Sequence, residues 1–123
     1  MPHKSIVPVI ITRRESEIVS NRCKELGIHF IFQNARDKLA CLNNLIVTYN
    51  KEYSASYSLQ SIAYMGDDIN DLECMKVIKE AGGLLGCPAD AVPQIIKLSD
   101  FISSKNGGNG AVREFIEWLI KLQ

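Results

Sequence analysis

A chain of 123 residues, 46% hydrophobic and 23% charged, has the size and make-up of one globular domain around a single core. Its 14 basic and 14 acidic residues cancel, so no overall field recruits nucleic acid or a membrane surface, and any phosphate chemistry must be local. Cys23, Cys41, Cys74 and Cys87 form no Cys-x-x-Cys pair and lack a nearby His, which argues against zinc and for free thiols in a reducing cytoplasm.

Residues 6–11 read as a strand, and Pro8, which removes one ladder bond, marks an edge, an end or an irregular pairing. The run is too short to span a bilayer and is followed at once by Arg13, Arg14 and Glu15. Thr12 and Glu15 make the S/T-x-x-E signature of a helix start; Ile18, Val19, Cys23 and Leu26 give that helix an inward face, and Gly27 stops it. Residues 28–32 are the next strand. Asp37 is placed to cap a helix with Leu39, Leu42, Leu45 and Ile46 on one stripe, ending near Tyr49, and the polar residues 50–58 read as a loop. Residues 61–65 read as a buried strand, Gly66 as a tight exit and residues 72–80 as the helix beyond. A short strand (83–86), a short helix (91–98) and a brief strand (101–102) follow. The last helix repeats Val112, Phe115, Ile116, Leu119 and Ile120 at helical spacing, which leaves Trp118 off the stripe. Strands alternating with helices predict a three-layer α/β, Rossmann-like fold, with a mostly parallel sheet, formed by residues 1–123 as a single domain.

The densest chemistry is Gly66-Asp67-Asp68-Ile69-Asn70-Asp71, three carboxylates and an amide closely spaced after an apolar strand. The carboxyl edge of a parallel sheet is where ligands bind, so Asp67 is placed to hold a hard cation such as Mg²⁺. The plainer reading is a capped turn, with Asn70 or Asp71 accepting from the helix N-terminus; capping needs only one such residue, and it stays as an additional role for Asn70. Thr12 is either a helix cap or a hydroxyl donor to an anion. Lys38 is either a solvated charge or a site cation, since a lysine in a first helical turn opposes the helix dipole by roughly 0.3–1 kcal/mol. Residues 105–110 are a mobile loop or a backbone nest leading into a helix N-terminus, and Arg113 behind them reads as an ion-pair partner.

In their order along the chain, the strand ending in Thr12, Lys38 opening a helix and the Gly66 to Asp71 run resemble the haloacid dehalogenase superfamily. Four stretches extend that likeness: Ala35-Arg36-Asp37-Lys38-Leu39, Ala63-Tyr64-Met65-Gly66-Asp67-Asp68-Ile69-Asn70-Asp71-Leu72, Ala89-Asp90-Ala91-Val92-Pro93 and Gly107-Gly108-Asn109-Gly110-Ala111-Val112-Arg113-Glu114. They are similar to the capless phosphatases of 3-deoxy-D-manno-octulosonate 8-phosphate and sialic acid 9-phosphate, and to the C-terminal domain of some acylneuraminate cytidylyltransferases. The resemblance implies Mg²⁺ held by Asp67 and Asp71, supported by Asp68 and Asn70. It also implies Thr12 and Lys38 on the phosphoryl group, and Gly107, Gly108 and Arg113 at the site or a subunit boundary. A phosphorylated sugar acid is the implied substrate and a cytoplasmic homo-oligomer the implied state, with no nucleic-acid or membrane partner.

The resemblance breaks at one motif. Such phosphatases carry an Asp-x-Asp on a first, central strand, and none occurs in these residues, so nucleophile and acid/base are both missing. Arg13 also stands where many relatives have glycine. The chain alone is therefore expected to be inactive and to bind Mg²⁺ weakly. The vacant strand position would be closed by direct pairing of the first strand with the acidic strand, by a strand from another chain, or by a further part of a longer protein. Two functions compete: part of a phosphatase, or a noncatalytic phosphatase-like module kept for assembly or regulation. A flavodoxin-like binding domain is a third reading, disfavoured by the lack of a glycine-rich first turn.

Overall fold

A computed structural model describes residues 6–12, 17, 21, 24–25, 27–28 and 30–122. The expected helix face at Ile18, Val19, Cys23 and Leu26, the cap partner Glu15 and Arg13 lie outside the described residues. Glu17, Asn21, Lys24 and Glu25 are helical, and Gly27, at φ +76°, turns the chain with its N–H on the Lys24 carbonyl at 3.1 Å. The chain divides into two compact units, Met1–Tyr49 and Asn50–Gln123.

In the first unit, β1 (Val9–Ile11) and β2 (Phe30–Phe32) run parallel, Val9 opposite Phe30 and Ile11 opposite Phe32. β1 is shorter than residues 6–11 because Pro8, with no N–H to give, sits just before the ladder. α1 (Lys38–Tyr53) begins where Asp37 Oδ1 accepts the Ala40 N–H at 2.9 Å. Leu42 is buried, Leu39, Leu45 and Ile46 are half-buried, and Tyr49 meets Phe30 edge to face at 5.6 Å. The helix does not end near Tyr49 as expected, because nothing in Asn50-Lys51-Glu52-Tyr53 breaks it. Its stop is Ser54, left-handed at φ +52°, after which the Ala55 N–H returns to the Asn50 carbonyl at 3.0 Å. The Asn50 amide then fixes the next segment, bonding both the N–H and the C=O of Tyr57.

The second unit holds β3 (Ala63–Met65), β4 (Leu84–Cys87) and β5 (Phe101–Ile102), all parallel in the order β3-β4-β5. Around them lie α2 (Leu72–Glu80), α3 (Pro93–Leu98) and α4 (Ala111–Lys121). The core is Cys74, Met75 and Ile78 from α2, Leu85 and Cys87 from β4, and Ile95 from α3. Cys41, Cys74 and Cys87 are thiols rather than disulfides, and burial pushes the Cys41 thiol up. A Cβ on Gly86 would come within 2.6 Å of the Phe115 ring, so the missing side chain is what lets that ring lie on the central strand. Phe101, Phe115 and Trp118 stack at 5.2–5.9 Å.

Two expectations change here. α4 buries Ala111 and Phe115 and half-buries Trp118, whereas Val112 (59%) and Ile120 (53%) stay exposed, so Trp118 belongs to the inward face. The stacked aromatic area outweighs the aliphatic stripe. β3 is half-exposed rather than buried, as suits a strand at the edge of its sheet. Among the described residues β1 pairs with β2 and β3 with β4. No helix among those residues is long and apolar enough to cross a membrane.

Candidate functional site

β3 continues one residue beyond its assigned end, the Gly66 N–H reaching the Gly86 carbonyl at 3.2 Å. Gly66 is needed for space: a Cβ there would lie 2.7 Å from the Asp71 Cβ and 2.8 Å from the Met75 sulfur. The chain then makes a single 3₁₀ turn, Ile69–Asp71, that runs into α2. Asp68 caps it, its Oδ1 accepting the Ile69 N–H at 2.7 Å. The capping role expected of Asn70 thus falls to Asp68, because the 3₁₀ turn moves the helical start back and leaves Asn70 exposed within it.

Asp71 is 3% exposed and satisfied on both oxygens. Oδ1 accepts the Tyr64 hydroxyl at 2.7 Å, and Oδ2 accepts the N–H groups of Asp67 at 3.1 Å and Asp68 at 3.3 Å. Burial first, and the Asp71 bond second, push the Tyr64 phenol well above its ordinary range. The buried acid therefore shapes the turn, and the exposed Asp67 side chain is what the turn presents. The Asp67 carbonyl is fixed by the Val92 N–H at 3.1 Å.

A second loop reaches the same place. Glu114, in the first turn of α4, accepts the hydroxyls of Ser103 (2.6 Å) and Ser104 (2.8 Å) and the Ser104 N–H (3.0 Å). These bonds, Ser103 first, hold the Glu114 carboxyl below its usual range. Further along, the Ala89 N–H binds the Lys105 carbonyl and Asp90 Oδ1 accepts the Gly107 N–H, both at 2.8 Å. A Cβ on Gly107 would lie 3.9 Å from Asp67 Oδ2. Gly108 and Gly110 take left-handed φ angles of +82° and +99°, which lets the loop double back into α4. Arg113 is exposed and pairs with Glu117 at 3.1 Å.

The second unit thus gathers Asp67, Asp68, Asn70, Asp71 and Gly107. Thr12 and Lys38 belong to the first unit: half-buried Thr12 follows β1, its N–H on the Phe32 carbonyl at 2.9 Å, and half-buried Lys38 opens α1. Among the described residues no three His, Cys, Asp or Glu side chains converge on one metal position. Tyr64, Asp90 and Glu114 carry roles that sequence reasoning did not assign. Only Glu114, an acid in a first helical turn behind paired serines, leaves a local signal for its role.

No family model matches the chain. It is 33% identical over 114 residues to the 3-deoxy-D-manno-octulosonate 8-phosphate phosphatase of Escherichia coli K12, covering 93% of this chain and 55% of that protein. The chain thus spans little more than half the length of such relatives. Among solved structures, the corresponding phosphatase of Moraxella catarrhalis, in complex with magnesium ion, phosphate ion and KDO, superposes with a TM-score of 0.78. It is 41% identical and is covered to 62%, against 96% of this chain. A Legionella pneumophila protein assigned to the HAD superfamily (subfamily III A) is 30% identical with a TM-score of 0.77, covering 94% of this chain and 58% of its own. Homologues of the chain are therefore 3-deoxy-D-manno-octulosonate 8-phosphate phosphatases and haloacid dehalogenase superfamily hydrolases, and its α/β, Rossmann-like fold is theirs.

Proposed function

We propose that this homologue of the 3-deoxy-D-manno-octulosonate 8-phosphate phosphatases is the cation-binding part of a Mg²⁺-dependent phosphatase site for a phosphorylated sugar acid, 3-deoxy-D-manno-octulosonate 8-phosphate first among them. The observation that carries this reading is the turn after β3, in which buried Asp71 binds the backbone on either side of the Asp67 side chain's exit. Such a turn spends a buried charge to present an exposed one. The donors are all oxygen, and one exposed carboxylate suits Mg²⁺, which keeps several waters and takes one or two carboxylates together with phosphate oxygens. Asp67 would hold the ion, Asp71 would fix Asp67, and Asp68 and Asn70 would shape the turn. Bound there, Mg²⁺ would neutralise charge on the phosphoryl oxygens. Gly107 would border it, and Lys38 and the Thr12 hydroxyl are the groups of the first unit suited to binding phosphoryl oxygens.

These residues contain no Asp-x-Asp, so the isolated chain is expected to bind the cation weakly and to release no phosphate. Titration with Mn²⁺ as a Mg²⁺ substitute, alongside assay with Mg²⁺ and a generic phosphate monoester, tests both halves. Binding unchanged by Asp67→Ala would overturn the cation seat; metal-dependent turnover abolished by Asp67→Ala would overturn the inactivity. The missing motif also favours a second reading, a noncatalytic module. An in-frame Asp-x-Asp in the coding DNA upstream of Met1 would decide for the enzyme.

A further inference from the structure

The segment between β4 and α3 touches both halves of the proposed site. On one side the Val92 N–H holds the Asp67 carbonyl at 3.1 Å. On the other, the Ala89 N–H holds the Lys105 carbonyl and Asp90 Oδ1 holds the Gly107 N–H, both at 2.8 Å. Residues 88–92 therefore form a bracket, with the acidic turn fastened to one end and the glycine loop to the other. Its effect is visible at Gly107, where a Cβ would stand 3.7 Å from Asp90 Oδ1 and 3.9 Å from Asp67 Oδ2. Asp90 is exposed, and its carboxylate is spent on a backbone N–H seventeen residues away rather than on its own helix start, where Pro93 opens α3 behind an uncapped Val92.

We propose that Asp90 is a positioning residue, which holds the Gly107 backbone against the Asp67 carboxylate and so makes the glycine loop one wall of the cation site. This rests on the reading of Asp67 as the cation seat. The glycine follows from the same geometry. A side chain at position 107 would enter the space beside Asp67, so Gly107→Leu narrows the site while leaving the Asp90 bond intact.

Amide relaxation by Mn²⁺ in the full chain tests this without activity. In the wild type, the Gly107 amide is expected to show an enhancement as large as that of Asp68. Asp90→Ala should lower the Gly107 value severalfold and leave Asp68 unchanged, and Asp90→Asn, which keeps a carbonyl oxygen for the N–H, should restore it. A thermal melt of each variant separates this from a general loss of structure. If Asp68 is enhanced and Gly107 is not, or if Asp90→Ala and Asp90→Asn behave alike, the inference fails. If neither Asp67 nor Asp68 is enhanced, the cation reading fails and this one falls with it. Should Asp90→Ala not fold, the wild-type and Asp90→Asn values still decide.

Discussion

Tyr64 and Asp71 carry a large share of the site's geometry between them, since their 2.7 Å bond fixes the one buried carboxylate on which the acidic turn is built. Hydrogen bonds to charged groups contribute about 1.5–3 kcal/mol, and a buried acceptor that loses a donor is penalised rather than merely weakened. Tyr64→Phe should therefore lower stability by about 1.5–3 kcal/mol in urea denaturation, and weaken Mn²⁺ binding more than an equally destabilising change elsewhere in the core would. Burial, and the same bond after it, fix the sign of an alkaline effect. The Tyr64 phenol is raised in the folded chain, so its contribution is fully present below the unfolded value of 10.0 and is lost as pH rises above it. The stability gap between wild type and Tyr64→Phe should then shrink above pH 10.0, measured by denaturation at stepped pH. Crowding makes Gly66 equally specific: in Gly66→Ala the new methyl meets Asp71 and Met75 inside 3 Å, and overpacking of this kind costs roughly 1–3 kcal/mol.

At the scale of elements, α4 and the loop before it separate what sequence made legible from what it hid. The spacing of apolar residues foretold a helix at 111–121 but not its inward face, because Val112, Ile116 and Ile120 fit a helical stripe as well as Ala111, Phe115 and Trp118 do. What chose between them was Gly86, whose bare backbone admits the Phe115 ring, and that choice lies 29 residues away in sequence. Trp118→Ala should cost about 2–3 kcal/mol, while exposed Ile120→Ser should stay within about 0.5 kcal/mol, an ordering that denaturation midpoints would check. The acidic turn and α2 were legible for the opposite reason. A glycine, clustered carboxylates and an apolar run fix their own local structure, so the bounds of α2 agreed. The partnership of Tyr64 with Asp71 was not legible, because it joins a strand to a turn through a hydroxyl that any core tyrosine also has. Glu114 makes the loop testable by acid. Its carboxyl is lowered in the folded chain, so the anchoring of Ser103 and Ser104 is present above the ordinary value of 4.5 and is lost as pH falls through the lowered one. Hydrogen exchange at the Ser104 amide should accelerate over that fall, and Glu114→Ala should show the faster rate at neutral pH already.

Across the whole molecule, the edge of β3 governs what the chain can do alone. The Leu84 N–H binds the Ile62 carbonyl and the Gly66 N–H binds the Gly86 carbonyl, so positions 62, 64 and 66 face β4. Alternation along a parallel ladder then turns the N–H and C=O groups of Ala63 and Met65 the other way, toward a side on which β3 has no strand partner among the described residues. Edge groups of this kind are a template for a further strand, and main-chain bonding can supply its affinity while side chains supply its chemistry. The carboxyl end of such a strand would finish beside the Asp67 turn, the place where an Asp-x-Asp would need to stand to use the proposed cation. A strand-forming segment with that motif, supplied in trans or fused before residue 6, should slow exchange at the Met65 amide and raise the unfolding midpoint. Magnesium-dependent phosphate release should appear with it and vanish in Asp67→Ala. A segment in which both aspartates are replaced by asparagine should give the same protection and no release. Protection without release from the Asp-bearing segment would leave β3 as a docking edge and remove the case for catalysis at Asp67.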